Sequence, residues 1–80
     1  MSYTATAQPI DGTLRQEIDV NGRNTIFTDE PARLGGTDTA PTPHELLAAT
    51  LASCVSTMLM LYAKPRDIDL GELRVDQHFN

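Results

Sequence analysis

A long uncharged segment, residues 46–63, is the feature that most constrains the fold of this chain. The residues before it read Thr42-Pro43-His44-Glu45, in which Thr42 can cap a helix, Pro43 suits the first helical position and Glu45 completes a capping box. Pro65 follows the segment and stops a helix. The sequence therefore predicts one helix from residue 43 to residue 63 or 64.

The predicted helix approaches the minimum length of a membrane span. Hydroxyl side chains interrupt it and strand-like segments flank it, so we interpret it as a buried central helix and expect no contact with a membrane. Every third or fourth position is apolar, which forms one stripe along the helix. The members of this stripe are Leu47, Leu51, Cys54, Met58 and Leu61.

The rest of the chain has the pattern of an antiparallel sheet. Residues 3–8, 13–20 and 24–28 are predicted strands, and in the second of them apolar and charged residues alternate with a period of two. Asn21-Gly22 predicts a type I′ hairpin turn between the second and third strands. Residues 72–79 alternate again and predict a further strand after the helix. We therefore predict an α+β fold, a single domain over residues 1–80, with a long buried central helix.

Residues 29–42 form a predicted loop, because its prolines and the Gly35-Gly36 pair disfavour regular structure. A loop of this length in a small domain is either functional or a plain crossover from the sheet to the helix. The sequence leaves both interpretations open.

The net charge of −5 and the pI of about 4.6 argue against nucleic acid as a partner. A single cysteine, Cys54, cannot form an intrachain disulfide, and the N-terminus lacks the pattern of a signal peptide. We therefore expect a cytoplasmic protein. His44, His78 and Cys54 have no spacing typical of a metal site, so no metal is expected.

Residues 43–54, which read PHELLAATLASC, closely resemble the central-helix motif of the OsmC/Ohr family. Residues 29–31 (DEP), 34–37 (LGGT) and 58–63 (MLMLYA) are also similar to members of this family. The resemblance implies a stress-response thiol peroxidase that reduces small hydrophobic organic hydroperoxides, built as an intertwined homodimer. It implies no cofactor beyond an external dithiol reductant.

The family's peroxide-attacking cysteine matches Cys54, and nothing in this sequence matches its second, resolving cysteine. The family's active-site glutamate stands ten positions before the cysteine, where this chain has His44. Glu45 lies on the helix face opposite Cys54, so we interpret it as part of the cap. The family's activating arginine comes from the early hairpin, and Arg15 is the nearest candidate.

The sequence is also compatible with two other functions. A lone cysteine on an apolar helix stripe is ordinarily an inert core residue, so the chain could be a non-catalytic module for dimerisation or for binding a small ligand. It could also be a redox sensor in which Cys54 is oxidised reversibly without turnover.

Overall fold

The computed structural model describes residues 2–79 and groups the chain into two compact units, Met1–Leu46 and Leu47–Asn80. The elements, in chain order, are strands β1 (Ala5–Pro9), β2 (Gln16–Val20) and β3 (Asn24–Thr28), a 3₁₀ turn (Ala32–Leu34), helix α1 (Pro43–Ala63) and a second 3₁₀ turn (Lys64–Arg66). The predicted α+β class is confirmed.

The three strands form one antiparallel sheet in the order β1-β2-β3. Strand β3 has the predicted bounds and β2 ends at the predicted residue, but the predicted start of β2 and both predicted ends of β1 are wrong. Strand β2 begins at Gln16 because the preceding residues close the β1–β2 turn, in which Ile10 N donates to Arg15 O at 2.9 Å. Strand β1 begins at Ala5 because Ala5 already pairs with Val20, the last residue of β2.

The hairpin turn between β2 and β3 forms as predicted. Asn21 and Gly22 have φ angles of 57° and 72°, and Arg23 N donates to Val20 O at 3.1 Å. Two consecutive positive φ angles define a type I′ turn, a conformation that asparagine and glycine tolerate best. The alternation along β2 is also present, since Ile18 and Val20 are half-buried while the acidic residues between and before them are exposed.

Helix α1 begins with the predicted capping box. Glu45 N donates to Thr42 Oγ1 at 3.1 Å, and Thr42 N donates to Glu45 Oε1 at 2.9 Å. In this arrangement each side chain accepts a hydrogen bond from the backbone N–H of the other residue, so two N–H groups at the start of the helix gain partners. Pro65 lies in the 3₁₀ turn that follows α1, as expected for a residue that cannot continue an α-helix.

The prediction that this helix is buried is wrong for the described chain. Ala63 is the one buried residue of α1, whereas Met58 and Leu61 of the predicted apolar stripe are 63% and 66% exposed. Within the Leu47–Asn80 unit, the segment after the helix borders the last turns of α1, where Leu61 lies, and it leaves the earlier members of the stripe uncovered. By length and composition alone, Pro43–Arg66 could cross a membrane, a test that the core helix of a soluble protein also passes.

The strand predicted at residues 72–79 does not form, so the further strand in our prediction is wrong. Leu73 and Val75 are half-buried and their neighbours are exposed, so the alternation of the sequence is retained. A strand exists only as a partner in a hydrogen-bonded ladder, and the described part of the Leu47–Asn80 unit contains no strand with which this segment could pair.

Candidate functional site

Cys54, the one cysteine of the chain, lies on α1 with its thiol exposed. Its Sγ lies 3.9 Å from Met58 Sδ, one helical turn further on the same face. The sequence placed Cys54 on an apolar stripe that normally faces a core, but the thiol is accessible in the structure. An accessible thiol can react with a solute, as a buried core cysteine cannot.

An open apolar cavity of about 590 Å³ lies in the same unit. It is lined by the end of α1 and the segment after it, mainly through Met60, Leu61, Ile68, Leu70 and Leu73. Leu61 stands seven residues after Cys54, which places both on one face of the helix about 10 Å apart along its axis. Thr57, one turn after Cys54, also lines the cavity, so the cavity begins one turn from the thiol and its apolar lining lies further along the helix.

Glu45 and His44 lie at the start of α1. The carboxylate of Glu45 accepts a hydrogen bond from the Thr42 backbone, which agrees with its interpretation as part of the cap. Nine residues separate Glu45 from Cys54, so the two side chains leave the helix on opposite faces. His44, the residue ten positions before Cys54, is exposed.

Arg15 lies in the Met1–Leu46 unit, directly before β2, and two neighbours in that unit hold its side chain. Its Nη1 donates to Thr39 Oγ1 at 2.6 Å. Its guanidinium carbon lies 4.7 Å from the centre of the Phe27 ring, a cation–π distance. Arg15 is half-buried, and the contacts with Thr39 and Phe27 restrict the position of its guanidinium.

Asp29, directly after β3, accepts most of the side-chain hydrogen bonds that order the loop carrying Thr39. Its side chain accepts hydrogen bonds from the backbone N–H groups of Glu30, Thr37 and Thr39. The hydroxyls of Thr37 and Thr39 also donate to its Oδ2, at 2.5 and 2.9 Å. Asp29 is 1% exposed, so residues 29–39 fold around a buried carboxylate.

These donors hold the pKa of Asp29 well below its ordinary value. The hydrogen bond from the Thr37 hydroxyl has the largest effect, burial opposes it, and the bonds from Glu30 and Thr39 lower the pKa further. The Asp29 side chain is therefore an anion across the neutral pH range.

Gly36 allows the loop to close on Asp29. A Cβ atom at this position would overlap the Glu30 carbonyl oxygen and come within 2.9 Å of Asp29 Oδ1. Only glycine permits this approach of one backbone segment to the other. The close approach brings Thr37 and Thr39 onto the carboxylate.

The roles of Asp29, Thr37 and Thr39 were not predicted from the sequence. The pattern of residues 29–42 is compatible with a functional loop and with a plain crossover, and a loop aspartate is ordinarily solvated. The available signal was an aspartate directly after a strand, followed by Gly35-Gly36 and two threonines at alternate positions. That pattern fits a carboxylate that is capped by backbone and hydroxyl donors.

The family model described as OsmC-like protein matches residues 36–80, which is more than half of the chain. The matched segment contains Cys54, α1 and the threonines of the Asp29 loop. The chain therefore belongs to the OsmC-like family, as its resemblance implied. Arg15 and Asp29 lie outside the matched residues.

A solved structure supports the same assignment. The chain is 34% identical to a protein from Psychrobacter arcticus 273-4 that is described as an osmotic stress induced and detoxification response protein, with a TM-score of 0.73. The similarity covers 86% of this chain and 50% of that one, so the chain spans about half the length of this relative. A comparison with curated proteins finds no match.

Proposed function

We propose that this chain is the cysteine-bearing part of an OsmC-type thiol peroxidase that reduces organic hydroperoxides in a stress response. The observation that carries the proposal is the placement of Cys54. It is the one thiol of the chain, it lies in the segment that matches the family, and its side chain is exposed beside an apolar surface. The detoxification response in the description of the Psychrobacter relative supports the same role.

The proposed reaction uses the Cys54 thiolate as the nucleophile. Its sulfur forms a bond to the terminal oxygen of the hydroperoxide, the O–O bond breaks, and the electron pair leaves with the alkoxide. The alkoxide takes up a proton to give the alcohol, and Cys54 becomes a sulfenic acid. The peroxide is thereby reduced by two electrons and the sulfur is oxidised by two.

Peroxide reduction requires the thiolate form of Cys54, and a nearby positive charge favours the thiolate over the neutral thiol. Cys54 lies beyond the first turn of α1, where the positive end of the helix dipole no longer acts. We propose that Arg15 supplies this charge, since a guanidinium is protonated at every relevant pH. Its contacts with Thr39 and Phe27 leave it charged and ordered, as this role demands.

The substrate is proposed to be a hydroperoxide with an apolar organic group. The cavity bordered by Leu61 offers such a group a surface along the same helix face as Cys54. Hydrogen peroxide has no apolar group and gains nothing from that surface. The exposed apolar residues of α1 also support a homodimer, because a second copy would remove them from water.

Turnover requires a thiol that reduces the sulfenic acid. A first thiol condenses with it to a disulfide and releases water, and a second thiol releases Cys54 by exchange. Exchange needs two thiols, so we propose an external dithiol as the reductant, and we propose the reducing cytoplasm as the location. No cofactor takes part in these steps.

The test is the consumption of cumene hydroperoxide by the purified protein in the presence of a dithiol. We expect consumption that exceeds the reaction of the dithiol alone and disappears in Cys54→Ser. Ser53→Ala, which changes a neighbouring exposed position of the same helix, is the matched control and should retain the rate. Equal rates for the unmodified protein and Cys54→Ser would overturn the proposal.

The cavity also favours a second candidate, a module that binds a small apolar ligand without catalysis. This function requires saturable binding of an apolar alcohol or ketone together with a thiol that reacts no faster than a free one. Cumyl alcohol, the product of cumene hydroperoxide, is a suitable probe. Binding of this probe together with slow oxidation of Cys54 would select the second candidate.

A further inference from the structure

We infer that Asp29, acting through Thr39, is a positioning residue that fixes the orientation of the Arg15 guanidinium. The inference rests on the proposed function, because it assumes that Arg15 activates the reacting thiol. It assigns a role to three residues that lie together in the Met1–Leu46 unit. Asp29 is the buried acceptor, Thr39 bonds to both Asp29 and Arg15, and Arg15 carries the positive charge.

The chemistry of the hydrogen bonds determines their direction. A carboxylate only accepts, so in the 2.9 Å bond between Thr39 and Asp29 Oδ2 the Thr39 hydroxyl is the donor. The Thr37 hydroxyl oxygen, 3.1 Å from that of Thr39, is neutral and more distant, so the carboxylate is the stronger acceptor. A guanidinium only donates, so Arg15 Nη1, 2.6 Å from the same hydroxyl oxygen, must donate to a lone pair of Thr39. Arg15, Thr39 and Asp29 thus form a chain in which each bond has a single possible direction.

A second contact restricts the plane of the guanidinium. Phe27 lies under Arg15 at 4.7 Å, and it belongs to β3, the strand that ends immediately before Asp29. Thr39 fixes one nitrogen of the guanidinium while the ring limits its tilt. Both contacts therefore come from the end of β3 and the loop that follows it.

Asp29 itself is held rigidly. Asp29 is 1% exposed, its backbone N–H donates to Pro41 O at 3.0 Å, and backbone donors from both sides of the loop reach its carboxylate. The lowered pKa of Asp29 means that the carboxylate keeps its charge across the neutral pH range. Because Asp29 stays deprotonated, the Thr39 hydroxyl remains the donor to Asp29 and the acceptor from Arg15 across this pH range.

Thr37 is a matched control for Thr39, because both hydroxyls donate to the Asp29 carboxylate. Its hydroxyl also donates to Asp29 Oδ2, at 2.5 Å, but Arg15 bonds to Thr39. Thr37→Val and Thr39→Val each remove one hydroxyl donor from the carboxylate. Only Thr39→Val also removes the acceptor of Arg15.

The test measures two rates, that of Cys54 oxidation by cumene hydroperoxide and that of Cys54 alkylation at a series of pH values. Thr39→Val should slow oxidation on the order of tenfold and should also slow alkylation at neutral pH, since a misplaced charge no longer favours the thiolate. Thr37→Val should stay within about twofold of the unmodified rate, and Thr39→Ser, which keeps the hydroxyl, should restore it. Far-UV circular dichroism establishes that each variant is folded.

Arg15→Met separates this inference from the proposed function. If Arg15→Met and Thr39→Val both slow oxidation, the double variant should be no slower than Arg15→Met alone, because Thr39 acts through Arg15. If Arg15→Met is slow but Thr39→Val and Thr37→Val behave alike, the positioning role is overturned and the proposed function stands. If Arg15→Met leaves the rate unchanged, the activating role of Arg15 fails and the inference falls with it.

A measurement on the unmodified protein covers the case in which Thr39→Val does not fold. A guanidinium that is fixed by Thr39 and Phe27 should show slowed rotation, seen by nuclear magnetic resonance as separate Nη signals for Arg15. Averaged Nη signals at low temperature would overturn the inference without any substitution.

Discussion

Gly36→Ala should destabilise the protein strongly, because the new Cβ would collide with backbone. The atoms it would meet are the carbonyl oxygen and carbon of Glu30 and Asp29 Oδ1. A side chain can rotate away from such a contact, but the Glu30 carbonyl can move only if the loop around Asp29 opens. We expect a loss of about 3 kcal/mol in the free energy of unfolding, at the upper end of the usual range for overpacking.

The matched control is Gly22→Ala in the β2–β3 turn. Gly22 has a φ of 72°, and a Cβ added there would meet nothing within 4 Å. Gly22→Ala should therefore lower the free energy of unfolding by about 1 kcal/mol, the strain of alanine in a left-handed conformation. The assay is equilibrium urea unfolding followed by far-UV circular dichroism. For a chain this short the slope is about 1 kcal/mol per molar urea, so Gly36→Ala should lower the midpoint by about 3 M.

The comparison between the two glycine variants decides whether the account of the loop is correct. A Gly36→Ala protein that is already unfolded without urea would agree with the predicted loss. A midpoint for Gly36→Ala that equals or exceeds that of Gly22→Ala would refute the argument that the 29–39 segment closes tightly on Asp29.

Three further predictions concern the cap, the buried carboxylate and assembly. Thr42→Ala should cost about 1 kcal/mol of unfolding free energy, measured by urea unfolding, while Ser53→Ala on the exposed face of α1 should cost less than about 0.5 kcal/mol. Because the folded-state pKa of Asp29 is lowered, its contribution to stability is complete above the ordinary aspartate pKa of about 3.9 and is lost as the pH falls below it. The stability difference between the unmodified protein and Asp29→Asn should therefore be constant from about pH 5 to about pH 7 and should shrink towards about pH 2; a constant difference at all pH values would contradict the lowered pKa. Light scattering should show a dimer or larger species at micromolar concentration, and a stable monomer would contradict the homodimer proposal.

The sequence predicted the elements whose determinants are local. Thr42, Pro43 and Glu45 act within one helical turn, and Asn21-Gly22 sets its own backbone geometry, so the start of α1 and the β2–β3 hairpin appear where they were expected. The motif at residues 43–54 was also sufficient to identify the family.

The incorrect predictions all depend on contacts that a sequence pattern does not contain. Alternation at residues 72–79 is compatible with a strand, but pairing requires a neighbouring strand that the described part of this unit lacks. The apolar stripe of α1 indicates a face that favours burial, and the segment after the helix covers only its last turns. The role of Asp29 depends on donors eight and ten residues away, which only the folded loop brings together.

The central claim is that Cys54 is an activated, peroxide-reducing thiol, and the rate of its oxidation tests this most directly. The measurement is the second-order rate constant for formation of the Cys54 sulfenic acid, followed by a trapping reagent and mass spectrometry, with cumene hydroperoxide and with hydrogen peroxide. Glutathione at the same pH serves as the free-thiol reference. We expect Cys54 to react faster than glutathione by on the order of a hundredfold or more, and faster with cumene hydroperoxide than with hydrogen peroxide. A rate constant equal to that of glutathione with both oxidants would contradict the account.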